Sequence, residues 1–88
     1  MKRQVLFVQG GGEGAHREDA KLVASLKREL GADYEVRYPK MPNEAAPDYP
    51  PWKERLANEL AAMGDGAILV GHSLGASILA KFLADSEA

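Results

Sequence analysis

The chain contains no cysteine. Disulfides, thiolate nucleophiles and cysteine-based zinc sites are thereby excluded. Histidine is almost as scarce. His16 and His72 are the only two, and they do not have the helical spacing of a metal-binding pair. No metal site is expected. An excess of positive charge is also missing: 11 Lys and Arg stand against 13 Asp and Glu, a formal net charge of −2. No basic cluster stands out, so nucleic acid is not an expected partner. Long apolar runs are absent too. The longest is far too short to span a bilayer, and no membrane association is expected. The start, "MKRQVLFVQ", is basic, but its apolar stretch is only Val5–Val8. That is a strand rather than a signal peptide, and the cytoplasm is the expected compartment. Proline is missing from most of the chain. All five prolines lie within 39–51.

What remains is ordinary for a small globular protein: 88 residues, 45% hydrophobic and 27% charged. One domain over 1–88 is expected, with a thin margin of stability. One rhythm occurs three times. Val5-Leu6-Phe7-Val8 is a β-rich run that stops at glycines. Leu22, Val23, Leu26 and Leu30 then recur at helical spacing, and Gly31 stops that helix. Tyr34, Val36 and Tyr38 alternate with Glu35 and Arg37, which gives a strand with one wet face. "PKMPNEAAPDYPP" is an extended loop, and Pro50 or Pro51 can open the next helix. Trp52, Leu56, Leu60 and Met63 mark that helix, and Gly64-Asp65-Gly66 ends it. Ala67–Val70 is a third strand. Leu74, Ile78, Phe82 and Leu83 form the apolar face of a last helix.

The pattern βαβαβα predicts an α/β fold in three layers, with a parallel sheet and right-handed crossovers. Strands one and three are apolar on both faces, and strand two suits an edge. The expected order is 2-1-3. Strand three then lies at an open edge, which is an association hazard. The sequence reads as if written for a sheet that continues past strand three, through a partner or a further part of the protein.

"GHSLG", residues 71–75, lies between the third strand and the last helix. G-x-S-x-G in that setting is a nucleophile-elbow signature. The serine sits on a strained turn, so that its Oγ projects above the carboxyl ends of the strands. Gly71 and Gly75 keep Cβ atoms out of the place where strand and helix nearly touch. The amide of Leu74 opens the helix and can donate to a developing oxyanion. The plain alternative is a serine that caps a helix. "QGGGEGAH" follows strand one, where a second oxyanion donor is expected, with Gly11 and Gly12 flanking it. The plain alternative there is a mobile turn. The same stretch also fits G-x-G-x-x-A at Gly10, Gly12 and Ala15, so nucleotide binding by the Gly10–Gly14 loop is a further alternative. That fingerprint expects an acid at the end of strand two, where this chain has Tyr38-Pro39-Lys40.

Other residues admit two readings. His16 opens the first helix near the glycine loop. It could form a dyad with Ser73, or simply meet solvent or a backbone carbonyl. His72 adjoins Ser73, but neighbouring side chains diverge on such a turn, so it is expected to hold a loop or pack beside the strand. Asp19, Asp65 and Asp85 read as helix-end or surface carboxylates. Trp52 reads as core, whereas Tyr38 and Met41 could approach a substrate.

"GHSLGA" after "AILV", "QGGGEGAH" after strand one and "YPKMPNEAAPDYPPW" between them resemble the small α/β-hydrolases of the retinoblastoma-binding-protein-nine and YdeN-like group. Met41-Pro42-Asn43, with Tyr49 and Trp52, is the most group-specific part. The resemblance implies the N-terminal part of such a fold, with its three strands side by side in mid-sheet. It implies a serine hydrolase that acts on ester or related acyl bonds of a small molecule, with Ser73 as nucleophile and no cofactor. It also implies a triad Asp and His later in the chain order, and no residue of this sequence matches either. The 88 residues alone are therefore expected to be inactive, with a docked C-terminal half or a second copy as candidate partner. A non-catalytic assembly module that pairs through strand three is the alternative.

Overall fold

The computed structural model describes residues 2–64 and 66–86. Asp65 lies outside the described residues, and with it the centre of the Gly64–Gly66 stop. Six elements alternate in the expected order: β1 (Arg3–Val8), α1 (Ala15–Leu30), β2 (Tyr34–Arg37), α2 (Tyr49–Met63), β3 (Ile68–Gly71) and α3 (Leu74–Ser86). The sheet is parallel with order β2-β1-β3. The most buried strand takes the centre, and the strand carrying Glu35 and Arg37 takes an edge. β3 forms the other edge, and its four residues are all only half-buried.

β1 sends alternate side chains to opposite faces. Leu6 and Val8 enter the main core with Met41, Trp52 and Leu56, beneath Ile78, Leu79 and Phe82 of α3. Val5 and Phe7 face the other way, towards α1, whose Val23 is buried. The helices thus flank the sheet, with α1 on one side and α2 and α3 on the other. α2 begins three residues before Trp52, because Pro50 and Pro51 fit its first turn, where no N–H partner is needed. Trp52 is core as expected, and its indole Nε1 donates to the Pro42 carbonyl at 2.7 Å.

Two expectations about the core need correction. Met41 does not face a substrate; it is 1% exposed and packed in the main core. Leu83 does not belong to the buried face of α3. It is 44% exposed and Leu74 is 36% exposed, and Leu79 joins Ile78 and Phe82 on that face instead. Leu79 lies one residue beyond Ile78 on the helix, so the face is centred differently from the 74-78-82-83 pattern. Leu22 is likewise exposed. With Leu26, Phe7 and Val70 it borders an open apolar cleft of about 370 Å³ beside β3.

Register decides where function can sit. Val8 of β1 lies opposite Gly71 of β3, and the His72 N–H extends the ladder to the Val8 carbonyl at 3.1 Å. The two strands therefore end level, and the segments that follow them are neighbours.

Replacing a core residue should cost far more than replacing a rim residue. Leu56→Ala is expected to lose about 2–5 kcal/mol, and Leu83→Ala to stay within about 0.5 kcal/mol. Urea midpoints measure both, and equal shifts would contradict this placement of the two side chains.

Candidate active site

β3 ends at Gly71 and α3 begins at Leu74, so only His72 and Ser73 make the turn. Ser73 has φ 56°, in the left-handed region that a side chain rarely adopts. Holding it there costs of order 1–3 kcal/mol. The turn is closed by the Gly75 N–H to the His72 carbonyl at 2.9 Å and the Ala76 N–H to the Ser73 carbonyl at 3.0 Å. The flanking glycines permit it. A Cβ on Gly71 would lie 2.6 Å from the backbone N and Cα of Ala76. A Cβ on Gly75 would collide with the carbonyl oxygens of Val8 and Gln9. A helix-capping serine has an extended backbone. Ser73 does not, so the plain cap reading fails on geometry. The Ser73 side chain is exposed.

The loop after β1 comes up against this turn. An ideal Cβ on Gly10 would sit 3.5 Å from Ser73 Cβ, and one on Gly11 would sit 2.5 Å from Leu74 Cδ2. The N–H groups of this loop are not equivalent. The Gly10 N–H donates to Asp19 Oδ2 at 2.8 Å. The Gly12 N–H donates to the Glu44 carbonyl at 2.6 Å. Among the described residues, the Gly11 and Leu74 N–H groups make no hydrogen bond within the protein. Of the pair Gly11 and Gly12, therefore, only Gly11 keeps a free donor. Leu74 adds a second one at the positive end of α3.

The histidines take up different positions. His16 stacks on Tyr38, with ring centroids 4.1 Å apart and planes inclined by 8°. Its Nε2 lies 3.3 Å from the Tyr38 carbonyl oxygen, and the Tyr38 hydroxyl donates to the His16 carbonyl. This is the backbone-carbonyl role, and no hydrogen bond joins His16 to Ser73 among the described residues. His72 does not hold a loop: its ring meets Asp19 of helix α1. Asp19 is not a surface carboxylate. It is 6% exposed, and both its oxygens lie 3.2 Å from His72 Nδ1. Asp85 does lie on the surface, where it accepts from the Tyr49 hydroxyl at 2.9 Å.

Two residues that composition and spacing did not single out organise the rim. Gln9 is fully buried at the end of β1. Its Oε1 accepts from the Met41 N–H at 2.8 Å, and its Nε2 donates to Glu44 Oε1 at 2.9 Å. Glu44 comes from the proline-rich loop and takes the start of α1. Its Oε1 accepts the His16 N–H at 2.9 Å, and its Oε2 accepts the Gly14 N–H at 3.1 Å. Gly14, the N-cap residue, offers no side chain to do so. The His16 and Gly14 N–H groups, with Gln9 and the Lys40 charge, hold the Glu44 carboxyl below its ordinary value. The place a pyrophosphate would take on a dinucleotide fingerprint is thus filled by a side chain of the same sign of charge. Burial, then the charges of Asp19 and Glu44, push the Tyr38 hydroxyl up to about 12.

Among the described residues no group of three or more histidines and acids could hold a metal ion. No helix there is long and apolar enough to cross a membrane. The fold and site define an α/β protein that carries a serine on a strand–turn–helix junction above the carboxyl ends of a parallel sheet. The sequence model of a family described as "Serine hydrolase" matches residues 13–88, and the chain belongs to that family. No curated protein matches the chain. No solved structure matches it.

Three measurements check these assignments. Gly75→Ala should destabilise by more than a surface Gly→Ala change, because its methyl meets β1 backbone that cannot move aside. Spectrophotometric titration should find one tyrosine that ionises only near pH 12. The low Glu44 carboxyl stabilises the fold when ionised. That contribution is complete above the ordinary glutamate value of 4.5 and is lost as pH falls through the lower folded value. Glu44→Gln should therefore lower the urea midpoint at neutral pH and leave a shallower acid decline. An unchanged midpoint at neutral pH would argue against the capping role.

Proposed function

We propose that the chain is the nucleophile-bearing part of a serine hydrolase that cleaves ester or related acyl bonds of small molecules, with Ser73 as nucleophile. The reading rests on one observation above all: the left-handed Ser73 between β3 and α3, with Gly71 and Gly75 packed where no Cβ fits. A fold accepts such strain where it positions a reacting group. In this proposal Ser73 Oγ attacks the carbonyl carbon. The Leu74 and Gly11 N–H groups take the developing oxyanion, the alcohol leaves, and water cleaves the acyl-enzyme. No metal or cofactor enters this scheme. Membership of the small hydrolase group typified by retinoblastoma-binding protein nine and YdeN is the finer form of the proposal, supported by Met41-Pro42-Asn43, Tyr49 and Trp52.

A base is the missing piece. Neither histidine makes a hydrogen bond to Ser73 among the described residues, and each ring is engaged elsewhere. We infer that the proton acceptor and its orienting acid come from outside these 88 residues, so the isolated chain turns over little or no substrate. Without a base, a serine hydroxyl is an ordinary alcohol, and only the oxyanion donors can contribute rate. The free edge of β3 supports a second reading, an assembly module that pairs through that strand. Sedimentation decides it: a dimer lost on Val70→Lys favours pairing, and a monomer at high concentration rejects it.

A fluorophosphonate probe tests the hydrolase reading. Weak labelling, abolished by Ser73→Ala and made strong when a base-bearing portion of the protein is supplied, is expected. Strong Ser73-dependent labelling of the 88 residues alone would contradict the missing base. Strain gives a second check. Ser73→Gly should remove labelling yet raise stability by about 1 kcal/mol, read from the urea midpoint.

A further inference from the structure

The carboxylate of Asp19 is buried and makes no bond within its own helix. Its partners come from the two segments that meet at the candidate site. On one side is the Gly10 N–H, 2.8 Å from Oδ2, in the loop after β1. On the other is His72 Nδ1, 3.2 Å from either oxygen, in the turn after β3. A carboxylate only accepts, so His72 Nδ1 donates and the imidazole orientation is fixed. Among the buried hydrophilic residues described, Asp19 and Gln9 are the two present, and Gln9 serves the proline-rich loop rather than the turn. Removing water from a carboxylate is costly unless donors replace it. Asp19 is therefore tolerated in the interior only while both segments stay in register.

We propose that Asp19 is the positioning residue of the oxyanion hole, a clamp that sets the Gly11 N–H relative to the Leu74 N–H. The inference rests on the hydrolase reading above. Gly10 precedes Gly11 and His72 lies two residues before Leu74, so one carboxylate is bonded within two residues of each free donor. The segments are in ordinary van der Waals contact there: an ideal Cβ on Gly10 meets Asp19 Oδ2, the His72 carbonyl oxygen and Ser73 Cβ, each at 3.5 Å. A donor displaced by even about 1 Å loses much of its effect on a transition state. Among the described residues Asp19 makes no hydrogen bond to Ser73 or to the Gly11 and Leu74 N–H groups, so it acts through the backbone it holds.

The test uses the 88-residue chain, its amide spectrum and phenylboronic acid, whose boron becomes tetrahedral on a serine held in an oxyanion hole. Wild type is expected to form that adduct weakly, the Ser73 proton passing to buffer in place of the absent base, seen by boron NMR, and Ser73→Ala to lose it. Asp19→Ala should weaken the adduct by about tenfold or more while the far-UV spectrum stays folded. Asp19→Asn, which keeps one acceptor and the same volume, should recover part of the affinity. It should also shift the amide signals of Gly10, Gly11 and Leu74 together, although the last two are not hydrogen-bonded to residue 19. His72→Ala should move Leu74 and leave Gly10 in place, because it removes one arm of the clamp. Wild-type affinity in a folded Asp19→Ala, or amide shifts in Asp19→Asn confined to Gly10 and His72, would overturn the proposal. If wild type forms no adduct, or Ser73→Ala keeps one, the serine reading fails instead. The clamp is then judged by whether the Gly11 and Leu74 signals move.

Discussion

The contact on which the site depends is the approach of α3 to the end of β1. Gly75 lies against the carbonyl oxygens of Val8 and Gln9 so closely that a methyl group has no room. That approach brings the start of α3 over the central strand. It forces the chain to leave β3 and enter the helix within two residues, and it drives Ser73 to φ 56°. The same closeness presses the loop after β1 against the turn, with Gly11 facing Leu74. Local strain at Ser73 is offset by burial of Ile78, Leu79 and Phe82 on the sheet.

Around this contact the polar groups are arranged so that few are free. Gln9, Asp19 and Glu44 take up the N–H groups of Met41, Gly10, His16 and Gly14. The Glu44 carbonyl takes that of Gly12. The outcome narrows the choice: of the glycine loop and the turn, Gly11, Glu13, Ser73 and Leu74 have N–H groups without a partner among the described residues, and of these Gly11 and Leu74 lie against each other. The start of α1, an anion site in other α/β proteins, is closed by Glu44 in this one. A glycine-rich loop after a first strand is therefore not evidence of nucleotide binding by itself. What matters is whether the helix start is vacant.

Much of this was legible in the residues. Strand and helix order followed from period-two and helical spacing. The strand order followed from which runs were apolar on both faces. Gly71, Ser73 and Gly75 announced their turn because only one geometry needs that spacing between an apolar run and a helix. The failures share a cause. Asp19 looked like a surface carboxylate, since a charged residue on an amphipathic helix is normally exposed. Only the partners waiting in two distant segments make its burial tolerable. Leu83, at the margin of a helix face, and Met41, in a loop, are placed by packing, which spacing does not report. Glu44 gave no local signal at all: its bonds span 28 to 35 residues.

The sequence by itself determined the elements, their order and the serine turn, because these rest on local periodicity and on the size of glycine. The tertiary structure decided which N–H groups remain free, which carboxylate is buried and which end of which helix is closed. Those outcomes depend on hydrogen bonds between segments far apart in the chain, and a donor's availability is settled only when every nearby acceptor has been placed.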